Sequence, residues 1–307
     1  MKKRCAIFAN CQRQLIETFL QSSDEFVEEY CFERIPYTYE AVYQNLEVSE
    51  EVLARTDLFI YQPLGEKYGE LSTDRLVTKL RPNCITISFP YLYFKGYYPQ
   101  DIDNPLAKPE AGYPFGRFPY GDRNIINFVE AGKSRAEIIE RLTQPDFYDQ
   151  AFLLNLVEET LQELTRREKE TDIKIATLIR QRYQHELLFY TVNHPSNTIG
   201  REVVNQMLQI LKLPLLKKPP EFRLFSLEGL TAMSFAVRVA NRMRRMIDLK
   251  PVPNPYREVF GDNQIPLYPS VIQQLNLTGV PINHRYRQGQ QKLTFAEYVA
   301  AYLTQYD

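Results

Sequence analysis

The chain has 307 residues, 44% hydrophobic and 24% charged, which is the composition of a soluble globular protein with one large domain or a domain and an appendage. Its formal net charge of −1 gives no global reason to expect nucleic acid or an anionic membrane as a partner. No apolar run reaches the roughly 18 residues of a membrane span, and the first residues, MKKRCAIFANCQ, lack the apolar core of a signal peptide. We therefore expect a cytoplasmic protein.

Short apolar runs and amphipathic segments alternate along residues 1–213. The runs predict strands at 4–9, within 26–34, and at 57–63, 84–90 and 186–195. The helical spacing of apolar residues predicts helices at 12–21, 49–55, 72–80, 134–142, 147–169, 172–182 and 199–213. Strands separated by helices are typical of a parallel sheet covered on both faces, so the sequence predicts an α/β domain over residues 1–213.

Two regions break this alternation. Residues 89–121 are rich in aromatic residues and prolines, too aromatic for disorder, and we predict a long ordered loop packed on the sheet. Residues 214–307 are expected to form a mainly helical appendage. We predict a basic amphipathic helix near 228–248, a proline-rich stretch at 249–269 and a final helix at 294–304. On the basic helix, Arg238, Arg242 and Arg245 would share one face, either solvated or phosphate-binding.

The cysteines and histidines are spaced unlike the ligands of a metal site. No CxxC, HxH or HExxH pattern occurs, so we predict no bound metal. A cysteine beside a strand is usually a packing residue, and we interpret Cys5, Cys31 and Cys84 in this way. His185 and His284 are interpreted as structural or surface residues.

Polar side chains follow the ends of several predicted strands, where parallel α/β sheets bind their ligands. These residues are Asn10, Cys11, Gln12, Gln62, Ser88, Asn193, His194, Ser196 and Asn197. Because the ends of parallel strands meet at one edge of the sheet, the sequence predicts that a thiol, an imidazole and several amides converge in one crevice.

Cys11 and His194 carry the chemistry that this crevice could perform. Cys11 lies at a strand-to-helix turn, where free N–H groups and the helix dipole favour an anion, and packing is its alternative role. A cysteine beside a histidine suits nucleophilic catalysis. Asn10, Gln12 and Gln62 could stabilise an oxyanion, although Gln12 could equally cap the following helix. Ser196 or Asn197 could likewise cap the helix that follows His194.

The segments IFANCQ, IYQPL, SFPYLYFKGYYP and LLFYTVNHPSN resemble the WcbI polysaccharide-biosynthesis family, whose members are proposed to be acetyltransferases. The C-terminal segments IPLYPSVIQQLNLTG and LTFAEYVAAYL resemble it as well. The resemblance implies a flavodoxin-like, three-layer fold related to SGNH hydrolases. It also implies coenzyme A binding and O-acetylation of a capsular or exopolysaccharide sugar.

The resemblance also implies roles for individual residues. Cys11 stands where the hydrolases have a nucleophilic serine, and His194 stands where their late catalytic histidine is expected. Ala9 replaces the glycine of the family's opening motif, and no aspartate stands two or three residues before His194. We therefore expect a Cys–His dyad, or orientation of His194 by a backbone carbonyl.

The resulting expectation is an acyl-CoA-dependent O-acyltransferase, with acetyl-CoA as co-substrate and a sugar as acceptor. The cofactor-binding candidates are Arg13, Lys95, Ser88, Phe89, Asn193, Ser196 and Asn197, and the aromatic loop would stack on adenine or on a sugar ring. Direct transfer in a ternary complex, without acylation of Cys11, fits the sequence equally well. The sequence is also compatible with an esterase or thioesterase, and with a non-catalytic protein that binds coenzyme A or a glycan.

Overall fold

A parallel sheet forms the centre of the structure. The computed structural model describes residues 2–111, 113, 116–217, 265–280, 284–288 and 291–307. Strands β1 (Lys3–Phe8), β2 (Tyr30–Phe32), β3 (Leu58–Tyr61) and β4 (Ile85–Ser88) pair in the order β2-β1-β3-β4, with all pairs parallel. The α/β class and the first four predicted strands are confirmed, although β2 is shorter than expected.

Helices follow or separate these strands. They are α1 (Gln12–Gln21), α2 (Asp24–Glu29), α3 (Thr38–Tyr43), α4 (Glu50–Arg55), α5 (Thr73–Thr78), α6 (Arg123–Glu130), α7 (Arg135–Leu142), α8 (Gln150–Glu168), α9 (Ala176–Arg182) and α10 (Asn197–Ile210). Side-chain oxygens of Ser23, Ser49, Asp122, Ser134 and Asp149 cap five of them by accepting backbone N–H bonds in the first turn.

The sheet is covered on both faces because β1 alternates its side chains between two hydrophobic clusters. Cys5 and Ile7 belong to the cluster that contains apolar residues of α1 and α10, and Ala6 and Phe8 belong to the cluster on the opposite face. All four residues are at most 1% exposed. The arrangement is therefore three layers, helices–sheet–helices.

Gly200 allows α1 and α10 to pack closely. A Cβ atom at this position would lie 2.9 Å from a ring carbon of Phe19 and 3.0 Å from Leu15, too close for any side chain. Since α1 begins directly after Cys11 and α10 begins shortly after His194, this close approach of the two helices brings their starting points together.

The fifth predicted strand, at 186–195, does not join the parallel sheet. It forms a small antiparallel pair of its own, β7 (Phe189–Thr191) and β8 (His194–Pro195). The chain reverses at Val192 and Asn193, and the carbonyl of Val192 accepts a hydrogen bond from the backbone N–H of Phe94 in the neighbouring loop. His194 therefore lies on the returning arm of a hairpin rather than at the end of a parallel strand.

The aromatic region 89–121 is ordered and packed on the body of the protein where the structure describes it. It contains a 3-10 helix (Lys95–Tyr97) and a hairpin of β5 (Asp101–Asp103) and β6 (Tyr120–Asp122). Phe89, Phe94 and Tyr97 are fully buried. The apolar surface of this region thus mostly completes the core.

The described C-terminal residues join the same hydrophobic cluster as α1 and α10. They form α11 (Pro269–Gln274), a hairpin of β9 (Tyr286–Gln288) and β10 (Gln291–Leu293), α12 (Phe295–Leu303) and a 3-10 helix (Thr304–Tyr306). The hydroxyl of Tyr268 donates to the carboxylate of Asp122, 2.8 Å away. The final helix is confirmed. The predicted helix 228–248, with Arg238, Arg242 and Arg245, and most of the proline-rich stretch lie outside the described residues.

No helix within the described ranges is long and apolar enough to cross a membrane.

Candidate active site

Cys11 and His194 form a thiol–imidazole pair. The Sγ atom of Cys11 lies 3.5 Å from Nε2 of His194, although 183 residues separate them in the chain. Cys11 is the N-cap residue of α1, three residues after the end of β1, and His194 opens β8. The predicted convergence of these two residues is therefore observed, with the histidine delivered by a hairpin.

Burial keeps both members of the pair uncharged at neutral pH. It raises the pKa of the Cys11 thiol to about 11, although the backbone N–H groups of Cys11 and Gln12 act in the opposite direction. It also lowers the pKa of His194, a residue only 3% exposed, to about 3. The resting pair is thus a thiol beside a neutral imidazole, rather than a thiolate beside an imidazolium.

Two hydroxyl groups hold the other nitrogen of His194. Oη of Tyr120 and Oγ1 of Thr191 each lie 2.9 Å from Nδ1. Thr191 donates its own hydrogen to Oδ1 of Asn193, 3.0 Å away, so its oxygen is free to accept from Nδ1–H. The network thus favours the tautomer with the proton on Nδ1, which leaves the Nε2 lone pair facing Cys11.

The contacts described for Nδ1 are hydroxyl groups, whereas the sequence led us to expect a simple dyad or a backbone carbonyl. Tyr120 and Thr191 were not among the candidates from the sequence. Thr191 could have been found, because it stands three residues before His194, within the interval where the hydrolases carry their aspartate. Tyr120 lies 74 residues away in the aromatic region, and no local signal indicates its role.

Gln12 and Gln62 form a buried amide ladder behind the pair. The Nε2 group of Gln12 donates to the backbone carbonyls of Leu92 and Asn193, and its Oε1 accepts from Leu92 N–H and from Nε2 of Gln62. Both amide hydrogens of Gln12 are therefore used within the protein. This geometry gives Gln12 a positioning role, tying the start of α1 to the loop after β4 and to the β7–β8 turn.

Asn10 is the amide that remains available to a substrate. Its Oδ1 accepts from the N–H of Gln12 at 2.9 Å, and its own N–H donates to Oε1 of Gln62 at 3.1 Å. Within the described part of the chain, its Nδ2 group has no hydrogen-bond partner. That group lies one residue from Cys11, where a developing oxyanion would need a donor.

Comparisons with known proteins identify relatives of this chain. The family model described as "Polysaccharide biosynthesis enzyme WcbI" matches residues 4–216. The chain belongs to the WcbI family. A solved structure of WcbI is similar over 100% of this chain and 90% of its own, with a TM-score of 0.67 and 18% sequence identity. That protein is described as a novel polysaccharide biosynthesis enzyme, in a native form without a disulfide bond between coenzyme A and one of its cysteines. Among curated proteins, none matches the chain.

Membership of the WcbI family confirms the resemblance, and the structure gives the positions of the cofactor-binding candidates. Arg13 is 6% exposed and donates to the carbonyl of Ile35 at 2.6 Å, while its guanidinium lies 5.0 Å from the ring centre of Tyr37. These contacts direct it toward α3 and the β2–α3 loop, so its geometry favours a structural role over phosphate binding.

Ser88 and Phe89 are also used within the protein. The hydroxyl and backbone N–H of Ser88 both donate to Oδ2 of Asp172, each at 2.7 Å, which fastens the end of β4 to the loop before α9. Phe89 is fully buried in the core. Neither side chain is brought to the Cys11–His194 pair as a ligand for a cofactor.

The candidates around His194 lie in the β7–β8 turn and at the start of α10. Asn193 belongs to the hydrogen-bond network just described. Ser196 is the N-cap residue of α10, but its buried Oγ accepts no capping hydrogen bond, and Asn197 is the first helical residue. Lys95 lines a separate cleft beside α8. Across the described residues, no group of histidine, cysteine or carboxylate side chains could hold a metal ion.

Proposed function

We propose that this WcbI-family protein is a cytoplasmic acyltransferase on an SGNH-like scaffold. It would move an acyl group, most simply acetyl, from coenzyme A to a sugar hydroxyl of a capsular or exopolysaccharide precursor. The observation that carries the proposal is the 3.5 Å contact between Cys11 Sγ and His194 Nε2, with Nδ1 held by Tyr120 and Thr191. The similar WcbI structure is described with reference to a disulfide bond between coenzyme A and a cysteine, and this description supports the choice of acyl donor.

In the first half-reaction Cys11 attacks the acyl thioester. As its sulfur bonds to the carbonyl carbon, its proton passes to Nε2 of His194, which is already the proton-free nitrogen. The bond between the carbonyl carbon and the coenzyme A sulfur then breaks, and the departing sulfur takes the proton from Nε2. The products are acyl-Cys11 and free coenzyme A, and one thioester has replaced another.

In the second half-reaction His194 activates the acceptor. Its Nε2 removes the proton of the sugar hydroxyl while the hydroxyl oxygen attacks the acyl-Cys11 carbonyl. The bond to Sγ breaks, and the proton returns from Nε2 to the sulfur. The sugar leaves as an ester, and the neutral thiol–imidazole pair is restored.

Asn10 and the start of α1 supply the electrostatic part of the mechanism. Both tetrahedral intermediates carry a negative oxygen. Asn10 directly precedes the nucleophile, and its Nδ2 group, which has no partner among the described residues, would donate to that oxygen. The backbone N–H groups of Cys11 and Gln12 interact with the sulfur, so the positive end of α1 also faces the reacting centre. Fixed donors of this kind are typically worth about 3 kcal/mol each in an acyl-transfer transition state.

Intact-mass spectrometry after mixing with acetyl-CoA tests the proposal. We expect a mass increase of one acetyl group in the wild type that is absent in Cys11→Ser and chased by added acceptor. Calorimetry should show that both proteins bind coenzyme A. Absence of coenzyme A binding would overturn the acyl-CoA assignment, and turnover without an adduct would replace the covalent route with direct transfer. Acyl loss to water at a rate independent of any sugar would identify a hydrolase.

A further inference from the structure

A cleft lies between residues 91–95 and helix α8, and neither Cys11 nor His194 lines it. Its volume is about 280 Å³, and Tyr91, Tyr93, Lys95, Glu163 and Arg167 contribute the groups that could contact a ligand. None of these residues takes part in the mechanism above. We call this feature the tyrosine cleft.

Side chains along residues 91–95 alternate between the tyrosine cleft and the core. Residues 91, 93 and 95 are half-buried and line the cleft, whereas Leu92 and Phe94 are fully buried on the opposite side of the extended segment. Gly96 then lets α8 approach, because a Cβ atom there would lie 2.6 Å from Val157. The aromatic faces are thus held by the core on one side and by the helix on the other.

Two stacked tyrosine rings and one guanidinium form the aromatic and cationic part of the cleft wall. The rings of Tyr91 and Tyr93 lie 5.9 Å apart, inclined by only 25°, and the guanidinium of Arg167 lies 5.8 Å from the centre of the Tyr91 ring. Arg167 is held by a 2.7 Å bond from its Nε to Glu163. Within the described residues, the hydroxyl of Tyr93 has no hydrogen-bond partner and can bind a ligand.

The charges of the cleft select the kind of ligand. Lys95 and Arg167 are balanced by Glu159 and Glu163 on the same walls. Because carboxylates balance its cations, the cleft offers no excess of positive charge to a pyrophosphate or a nucleotide phosphate, so the charge pattern disfavours the polyanionic part of coenzyme A. Aromatic faces surrounded by both hydrogen-bond donors and carboxylate acceptors suit an uncharged ring that carries several hydroxyl groups.

The tyrosine cleft is connected to the catalytic pair. The side chain of Asn193 acts on the Tyr91 hydroxyl and lowers its pKa against the opposite effect of burial, and the same residue accepts from Thr191 beside His194. A ligand that rests on Tyr91 is therefore one side chain away from the network that orients the imidazole.

We infer that the tyrosine cleft binds a sugar ring of the acyl acceptor, with Tyr91 and Tyr93 against its apolar face and Arg167 and Glu163 on its hydroxyl groups. This assignment rests on the proposed acyl transfer and adds the acceptor subsite to it. In this assignment, Tyr91 and Tyr93 contact the sugar rather than the adenine of coenzyme A.

Binding of simple glycosides to the full-length protein tests the inference. The probes are the methyl glycosides of glucose, mannose, galactose and N-acetylglucosamine, measured at millimolar concentration by saturation-transfer NMR. We expect at least one to bind the wild type and to bind about tenfold more weakly to Tyr93→Ala and to Arg167→Gln. Arg166→Gln is the matched control, since Arg166 also bonds Glu163 but does not line the cleft.

Calorimetry with coenzyme A on the same variants separates this inference from the proposed function. Removing a ring on which a ligand stacks weakens the binding of that ligand roughly tenfold. Because we expect coenzyme A not to contact Tyr93, its affinity for Tyr93→Ala should stay within about twofold of the wild-type value. Weaker coenzyme A binding in Tyr93→Ala would assign the cleft to the nucleotide and overturn the inference. Failure of every glycoside to bind, or equal binding by wild type and Tyr93→Ala, would also overturn it, while leaving acylation of Cys11 untouched.

Discussion

Thr191 favours one tautomer of His194, because its hydroxyl donates to Oδ1 of Asn193 and its oxygen is left to accept from Nδ1–H of the imidazole. Tyr120 provides a second oxygen at the same 2.9 Å distance. The proton on Nδ1 leaves Nε2 free to take the proton of Cys11. In the proposed mechanism, the proton transfer from Cys11 therefore depends on two hydroxyl groups bound to the other ring nitrogen.

The first prediction concerns these two hydroxyl groups. Thr191→Val and Tyr120→Phe should each lower kcat about tenfold, the worth of one well-formed hydrogen bond, with coenzyme A affinity unchanged. The double variant should lose more than the product of the two, because either oxygen alone can still accept from Nδ1–H. Thr191→Ser should restore activity to within about threefold of the wild type. Strictly multiplicative losses, or no recovery in Thr191→Ser, would argue for a packing role.

The second prediction is that His194 makes the fold less stable in acid. Burial lowers the pKa of its imidazole to about 3, whereas the unfolded chain keeps a value near 6.5. The unfolded state takes up the proton first, so the stabilisation is complete above pH 6.5 and is lost as the pH falls toward 3. At pH 5 the loss relative to pH 7 should be about 2 kcal/mol.

Two buried carboxyl groups act in the opposite sense and require a difference measurement. Burial raises the pKa of both Asp101 and Asp122 to about 6, so their contribution grows as the pH falls from about 6 toward 3.8. Urea unfolding of wild type and His194→Gln at pH 7 and pH 5 cancels this common contribution. The wild type should lose about 2 kcal/mol more than the variant. The same pH dependence in both proteins would refute the buried neutral imidazole.

The sequence was sufficient to find Cys11 and His194 but not the way they meet. Apolar runs ended by polar residues or proline locate β1, β3 and β4, because the hydrophobicity of a run and the spacing of its apolar residues can be read from the local sequence. Whether the run before His194 pairs with the sheet or folds back on itself is decided by distant partners. The hydrogen bond from Phe94 to Val192 is one such contact, and nothing in residues 186–195 indicates it.

The role of the Gln12 side-chain amide could likewise not be predicted from the local sequence. A glutamine at the start of a helix could cap it, contact a substrate or bridge loops, and its residue type is the same in each case. For Gln12 the decision comes from Leu92 and Asn193, whose backbone groups the fold places on both sides of its carboxamide. Tyr120 is a comparable case, because its place beside His194 depends on the whole path of the aromatic region.

The third prediction follows from the buried position of Gln12. Gln12→Glu keeps the shape of the side chain but removes both N–H donors and turns a carboxylate toward the carbonyls of Leu92 and Asn193. The free energy of unfolding should fall by at least about 3 kcal/mol at pH 7. Gln21→Glu, at the exposed end of the same helix, is the control and should change it by at most about 0.5 kcal/mol. Equal effects in a urea titration would show that the ladder does not hold the site together.

The last prediction concerns the reactivity of Cys11. Burial raises its thiol pKa to about 11, so roughly one molecule in ten thousand carries the thiolate at pH 7. Alkylation by iodoacetamide, mapped by peptide mass, should therefore be slow and should accelerate about tenfold per pH unit from pH 7 to 9. The exposed Cys31 serves as an internal reference for reagent consumption. Limited access would slow alkylation equally at every pH, so the slope separates access from ionisation. A rate that levels off below pH 8 would mean that the pair rests as thiolate and imidazolium, and the first proton transfer of the mechanism would then precede substrate binding.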